Sequence, residues 1–147
     1  MQTNTTQALT NELFQFMKQL PRLKLICAPV DGLSRTESEL LVLLVMNMNG
    51  DKKALSVSEI SSLLRITPAG VTHLINPLEN AGHIVRLPDP TDRRIVLIGV
   101  TDKGSEVAAA VMEDIQARLA GLVDHLGEED CKTFIRLVSQ VLNYLTV

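Results

Sequence analysis

The sequence predicts a mainly α-helical fold with one small β-hairpin, and three observations predict it. Residues 56–80 read as two short amphipathic helices, the second opening at the N-cap Thr67, joined by a turn of about four residues, the layout of a helix-turn-helix. Two runs rich in β-branched residues, 83–87 and 95–100, follow at once, separated by the turn formers of residues 88–94. That pattern is a hairpin. Long helical segments stand on either side of this unit. A helix-turn-helix followed by a hairpin is a winged helix-turn-helix, dimerising here through its N- and C-terminal helices.

Each element has its own justification. Leu9, Leu13, Phe16, Leu20 and Leu23 follow a 4-3-4-3 spacing, so a first helix runs to about Leu25, with Pro21 kinking or ending it locally. Pro29, Asp31 and Gly32 make a loop. A second helix starts near residues 34–36, where Thr36 and Glu39 have capping-box spacing. It is apolar nearly all round from Leu40 to Met48, which places it at the buried centre. Ser56 and Glu59 repeat the capping-box spacing, and Ile60, Leu63 and Leu64 give a one-sided stripe. Thr67 reads as an N-cap with Pro68 in the first helical position. Val71, Leu74, Ile75 and Leu78 then face inward, and Pro77, lacking an N–H, should bend the helix.

Thr101 to Gly104 opens a long helix that reaches about Leu126. Gly127 separates it from a last helix whose first acids, Glu128, Glu129 and Asp130, suit a positive helix N-terminus. Cys131, Phe134, Val138, Val141 and Leu145 form a near-heptad seam. A small winged helix cannot cover the seams of its first and last helices. A two-fold dimer is the commonest solution. The expected organisation is a single domain over residues 1–147, with a winged lobe at 34–104 and dimerisation helices at 5–28 and 105–147.

Composition agrees. A chain of 147 residues suits one domain, and 46% hydrophobic residues with only 3% aromatic and no Trp imply an aliphatic core. Residues 1–6 are polar, and the longest apolar run, 40–46, is far short of the ~18 residues needed to span a bilayer. The expectation is a soluble, cytoplasmic protein with no membrane role. Cys27 and Cys131 form no CxxC pair, which argues against a disulfide or zinc site. The net charge is −3, but its distribution is uneven. Residues 52–103 hold seven cations against five acids, and residues 104–147 three against seven. A positive middle and a negative C-terminal arm fit a DNA reader whose oligomer arm faces away from the phosphates. His73, His83 and His125 are scattered, and no GxSxG, phosphate loop or metal-ligand cluster occurs. Neither an enzyme nor a cofactor or metal is expected.

The pieces Ser56-Val57-Ser58-Glu59-Ile60, residues 67–75 and residues 78–86 come in a specific order. Asp89-Pro90-Thr91-Asp92-Arg93-Arg94 and Thr101-Asp102-Lys103-Gly104 follow them. Together they resemble the multiple-antibiotic-resistance regulator (MarR) family, by motif over residues 36–104 and by helix layout to both ends. The resemblance implies a triangular homodimer whose lobes bind a palindromic operator in double-stranded DNA. It also implies repression of neighbouring genes, relieved by a small aromatic or anionic effector. A subset of such proteins senses oxidants through cysteine.

Residues 68–80 would then be the recognition helix, with Thr67, Ala69, Gly70, Thr72 and His73 at base edges and backbone. Arg93 and Arg94 are long cations suited to a narrow minor groove; the resemblance ranks Arg94 first. Asp92 is too short and of the wrong sign for DNA, so its expected role is to hold an arginine or the turn backbone. Arg65, Arg86, Lys52 and Lys53 are further candidates for phosphate, with plain surface charge as the alternative. Family recognition helices usually carry Arg near the His73 and Pro77 positions, and this chain has neither. Those departures and the acidic balance support the competing reading, a winged-helix dimer acting as a protein-interaction module with weak or no DNA binding. Phe14, Met17, Met46 and Met48 are candidates for a ligand pocket, ordinary core packing being the alternative. Cys27 is a candidate redox site, with Lys24 three residues away.

Overall fold

The computed structural model describes residues 2–17, 30 and 32–146. The elements in chain order are α1 (Gln2–Met17), α2 (Arg35–Asn47), β1 (Ala54–Ser56), α3 (Val57–Leu64), α4 (Pro68–Asn80), β2 (Ile84–Pro88), β3 (Val96–Val100), α5 (Asp102–Leu126) and α6 (Glu128–Leu145). The chain is therefore mainly helical with a small antiparallel wing. Cys27, Pro21, the loop at Pro29 and Asp31, and the expected end of the first helix lie outside the described residues.

The capping signals decide most helix starts. Ser56 Oγ accepts from Glu59 N while Glu59 accepts from Ser56 N at 2.8 Å. Thr67 and Thr101 cap α4 and α5, each accepting from the backbone N–H three residues on. The α2 cap corrects the sequence expectation. Ser34, not Thr36, is the N-cap, and its box closes with Glu37. The same spacing fits both pairs, but Ser34 has extended backbone (φ −65°, ψ 162°), whereas Thr36 already lies inside the helix. Glu39 instead pairs with Arg35 at 3.0 Å.

The hairpin gains a third strand, in the order β1-β3-β2. Ile84 pairs with Val100 at the base of the wing and Pro88 with Val96 near its tip. Leu55 of β1 sits opposite Ile98. Three residues are too few for an alternation to register in the sequence, and their partner lies far along the chain.

Helix α2 occupies the centre, with Leu40, Leu41 and Leu44 fully buried. Val71, Ile75 and Leu78 of α4, Val107, Ala108 and Val111 of α5, and Leu55, Ile84 and Ile98 of the sheet complete an aliphatic core. The start of α5 is seated on the start of the wing. Thr101 N donates to His83 O at 3.0 Å and Thr101 Oγ1 to Gly82 O at 2.6 Å. Gly104 lies so close that a Cβ there would stand 2.0 Å from His83 O.

The terminal helices are different. Helix α6 buries none of its residues, and Phe134, Ile135, Val141, Leu142 and Tyr144 are exposed, Tyr144 by 83%. Leu9, Leu13 and Phe14 of α1 are exposed as well. No helix among the described residues is long and apolar enough to cross a membrane.

Candidate nucleic-acid interface

The turn between α3 and α4 is set by Arg65, which ends α3 in the left-handed conformation (φ 55°, ψ 42°). It is the only non-glycine residue with positive φ among the described residues. That state costs an L-residue roughly 1–2 kcal/mol, offset here by a knot of hydrogen bonds. The backbone N–H groups of Arg65 and Ile66 both donate to Ser61 O, and Ser61 Oγ donates back to Ile66 O at 2.6 Å. The chain then enters α4 through Thr67, whose Oγ1 accepts from Gly70 N at 3.1 Å.

Helix α4 turns Val71, Ile75 and Leu78 inward. Ala69, Thr72, His73 and Asn76 are exposed. At about 100° per residue, positions 69, 73 and 76 fall within about 60° of one another, forming the crest of the outer face. Thr72 Oγ1 donates to Pro68 O at 3.1 Å. The His73 ring has no hydrogen-bond partner among the described residues. Gly70 is half-buried, and an added Cβ would make only ordinary contacts at 3.4 Å or more, so packing within the fold does not demand glycine there. The helix continues through Pro77 to Asn80.

The wing tip is organised by two aspartates. Asp89 Oδ1 accepts from Thr91 N and Thr91 Oγ1, both at 2.7 Å, and from Asp92 N at 3.0 Å. These bonds, the Thr91 hydroxyl foremost, hold the Asp89 carboxyl below the usual carboxylate range. Asp92 Oδ1 accepts from the Arg94 backbone N–H at 3.0 Å and from Arg94 Nε at 3.3 Å. The Arg94 side chain is nonetheless 93% exposed. An exposed pair of this kind is worth ~0–1 kcal/mol, little enough for a phosphate to displace it. Arg93 is exposed and has no side-chain partner among the described residues.

The remaining cations differ in their freedom. Arg65 and Lys53 are exposed. Lys52 pairs with Glu59, and that bond is the main reason the Glu59 carboxyl is held below its usual range. Arg86 is committed inside the lobe: Nε donates to Glu79 Oε2 at 3.0 Å and Nη2 to Asn76 Oδ1 at 2.7 Å. Strand β2 is thereby tied to the outer side of α4. Sequence reasoning did not single out Asn76 or Glu79. Their one legible signal is the helical spacing that sets Asn76 beside His73 and Glu79 one turn beyond Asn76.

The candidate pocket residues lie on α1 and α2 and just beyond the end of α2. Phe14 and Met46 are exposed, Met48 packs half-buried against the core, and the Met17 side chain lies outside the described residues. A cleft of about 660 Å³ opens elsewhere, between the start of α3 and the wing, lined by Ser56, Ser58, Glu59, Asp89, Arg94 and Val96.

Residues 31–95 match the sequence profile of the MarR family, from the loop before α2 to the tip of the wing. Over this stretch the chain is similar to the MarR family. It is 28% identical over 86 residues to an uncharacterized HTH-type transcriptional regulator, YwhA, of Bacillus subtilis, covering 58% of this chain and 62% of the relative. It is 30% identical over 95 residues to the HTH-type transcriptional repressor MdtR of the same species, covering 65% and 59%. The chain thus spans about three-fifths of the length of these two relatives. Among solved structures, a MarR family protein from Bacillus stearothermophilus superposes with a TM-score of 0.69 at 22% identity, covering 98% of both chains. Streptococcus pneumoniae FabT in complex with DNA gives 0.68 at 20% identity, covering 97% and 96%. At such identity the likeness is one of fold, and it extends the MarR winged helix across the terminal helices as well.

Proposed function

We propose that this chain is a MarR-family transcription regulator that binds a palindromic operator in double-stranded DNA as a homodimer. One observation carries the reading: the outer face of α4 is uncovered, and the guanidinium of Arg94, 93% exposed, projects from a tip whose backbone is already fixed. Helix α4 enters the major groove, with Thr67, Ala69, Gly70, Thr72 and His73 meeting base edges and backbone. Arg94, seconded by Arg93, enters the adjoining minor groove, and Arg65 contacts phosphate. Asp92 holds the wing backbone and steadies Arg94. The uncovered apolar surfaces of α6 and α1 support pairing with a second copy. The DNA in the FabT complex and the name of the MdtR repressor support operator binding and repression. Release by a small aromatic or anionic effector, bound where the terminal helices meet the lobe near Phe14, Met17, Met46 and Met48, completes the proposal. Such a protein works in the cytoplasm.

The test is a shift assay on the DNA upstream of its own gene, repeated across salt concentrations. Each phosphate neutralised contributes about 0.9 to the slope of log K against log salt. Arg65→Ala in both subunits removes two phosphate contacts and should lower that slope by about 1.8, while Arg94→Ala should weaken binding. Absence of binding even at low salt would defeat the proposal and favour the protein-interaction module.

A further inference from the structure

We infer that Asn76 is a specificity-determining residue that reads guanine, its amide locked in a donor orientation by Arg86; the inference rests on the DNA-binding reading above. A guanidinium can only donate hydrogen bonds. The atom of Asn76 that faces Arg86 Nη2 at 2.7 Å must therefore be the carbonyl oxygen. Turning the amide over would set its NH2 against the guanidinium, donor against donor. Glu79, bonded to Arg86 Nε at 3.0 Å, fixes the guanidinium in its turn. The three side chains form a chain of fixed polarity from carboxylate to guanidinium to amide.

Asn76 is exposed, on the crest it shares with Ala69 and His73. A free asparagine reads adenine with both ends of its amide, accepting from N6 and donating to N7. Here one lone pair of the accepting oxygen is engaged by a cation, which holds that oxygen toward Arg86 and leaves the NH2 group turned away from it. The adenine edge offers an NH2 group a single acceptor, N7, with a competing donor beside it. The guanine edge presents two adjacent acceptors, N7 and O6, and matches it. Arg86 is accordingly a positioning residue: it sets which end of Asn76 the DNA meets.

The experiment is selection of bound sequences from random duplex DNA, with the whole chain and its Asn76→Ala, Asn76→Asp and Arg86→Ala variants, each checked for folding by thermal melting. The wild-type protein should show guanine at one step of each half-site, preferred by at least about fivefold. Asn76→Ala should flatten that step alone. Asn76→Asp keeps a partner for Arg86 but only accepts, so the preferred base there should move to cytosine, whose N4 donates. Arg86→Ala frees the amide to turn, so adenine should become tolerated at the same step. Variants that weaken binding uniformly and leave the preferred bases unchanged would show a merely structural bridge and overturn the assignment. Wild-type protein that binds no sequence at all would overturn the DNA reading itself, and this assignment with it.

Discussion

Gly104→Ala separates steric fact from helix propensity, because the two give opposite signs. Gly104 lies in the first turn of α5, and on propensity alone alanine should gain up to about 1 kcal/mol. The packing decides otherwise. An added Cβ would stand 2.0 Å from His83 O, 2.9 Å from its carbonyl carbon and 2.9 Å from Val100 Cγ1. Backbone cannot swing aside as a side-chain end can, so α5 must lift from the base of the wing and strain the Thr101–His83 bond. Overpacking costs typically 1–3 kcal/mol, and this contact belongs at the upper end, about 3 kcal/mol. For a chain of this size that lowers Tm by about 6–12 °C. The control sits in the same helix: a Cβ added at Gly121 would meet nothing within 4 Å, so Gly121→Ala should hold or raise stability by up to ~1 kcal/mol. Melting curves by circular dichroism at one fixed protein concentration compare them, since the proposed dimerisation would make Tm concentration-dependent. A Gly104→Ala protein as stable as wild type would refute the close seating of α5 on the wing.

Three further outcomes follow from the same geometry. Thr67→Ala removes the acceptor for Gly70 N and should cost about 1 kcal/mol in urea unfolding, with Thr67→Ser restoring most of it. Ile135→Asp with Leu142→Asp places charge on the uncovered face of α6 and should give monomers in sedimentation, whereas persistence of a dimer would move the interface elsewhere. The Asp89 carboxyl is held lower in the folded wing than in an unfolded chain. Its contribution is complete above the ordinary carboxylate range and disappears as pH falls through the lowered folded value. Protection of the Thr91 and Asp92 amides, taken relative to their intrinsic exchange at each pH, should fall over that acidic interval, and Asp89→Asn should abolish the step.

What was legible in the sequence was local. Thr67 with Pro68, Ser56 with Glu59, and Thr101 announce helix starts because a cap acts within four residues. The wing was legible because its turn formers separate two β-branched runs. Ser34 against Thr36 shows the limit: two capping boxes overlap in one stretch, and only the backbone conformation chooses between them. Strand β1 and the Glu79–Arg86–Asn76 bridge were not legible, since each joins residues from different elements and no periodicity records the pairing. Arg65 carried no sign of its left-handed turn, because the hydrogen bonds that sustain it come from Ser61 and Ile66 rather than from its own side chain. The candidate pocket was read from residue type, and methionine suits a core and a pocket equally well.

These ties bear on how a bound effector could alter DNA affinity in the proposed dimer. The wing is anchored to α4 by Arg86, to α5 by Thr101 and Gly104, and to α3 through β1. Tilting the wing against the recognition helix would break charge-assisted hydrogen bonds, which contribute roughly 1.5–3 kcal/mol each where they are well shielded and less where exposed. The apolar faces of α1 and α6 are exposed instead, and apolar contacts made there are non-directional and slide at low cost. Two lobes that each hold their shape but change their separation lose register with half-sites one helical turn apart. An effector is thus expected to act on the spacing between lobes. Spin labels on Asn80 of both subunits would read that distance directly: it should shift on effector binding while distances within one lobe stay fixed. A change confined to the wing would contradict the argument.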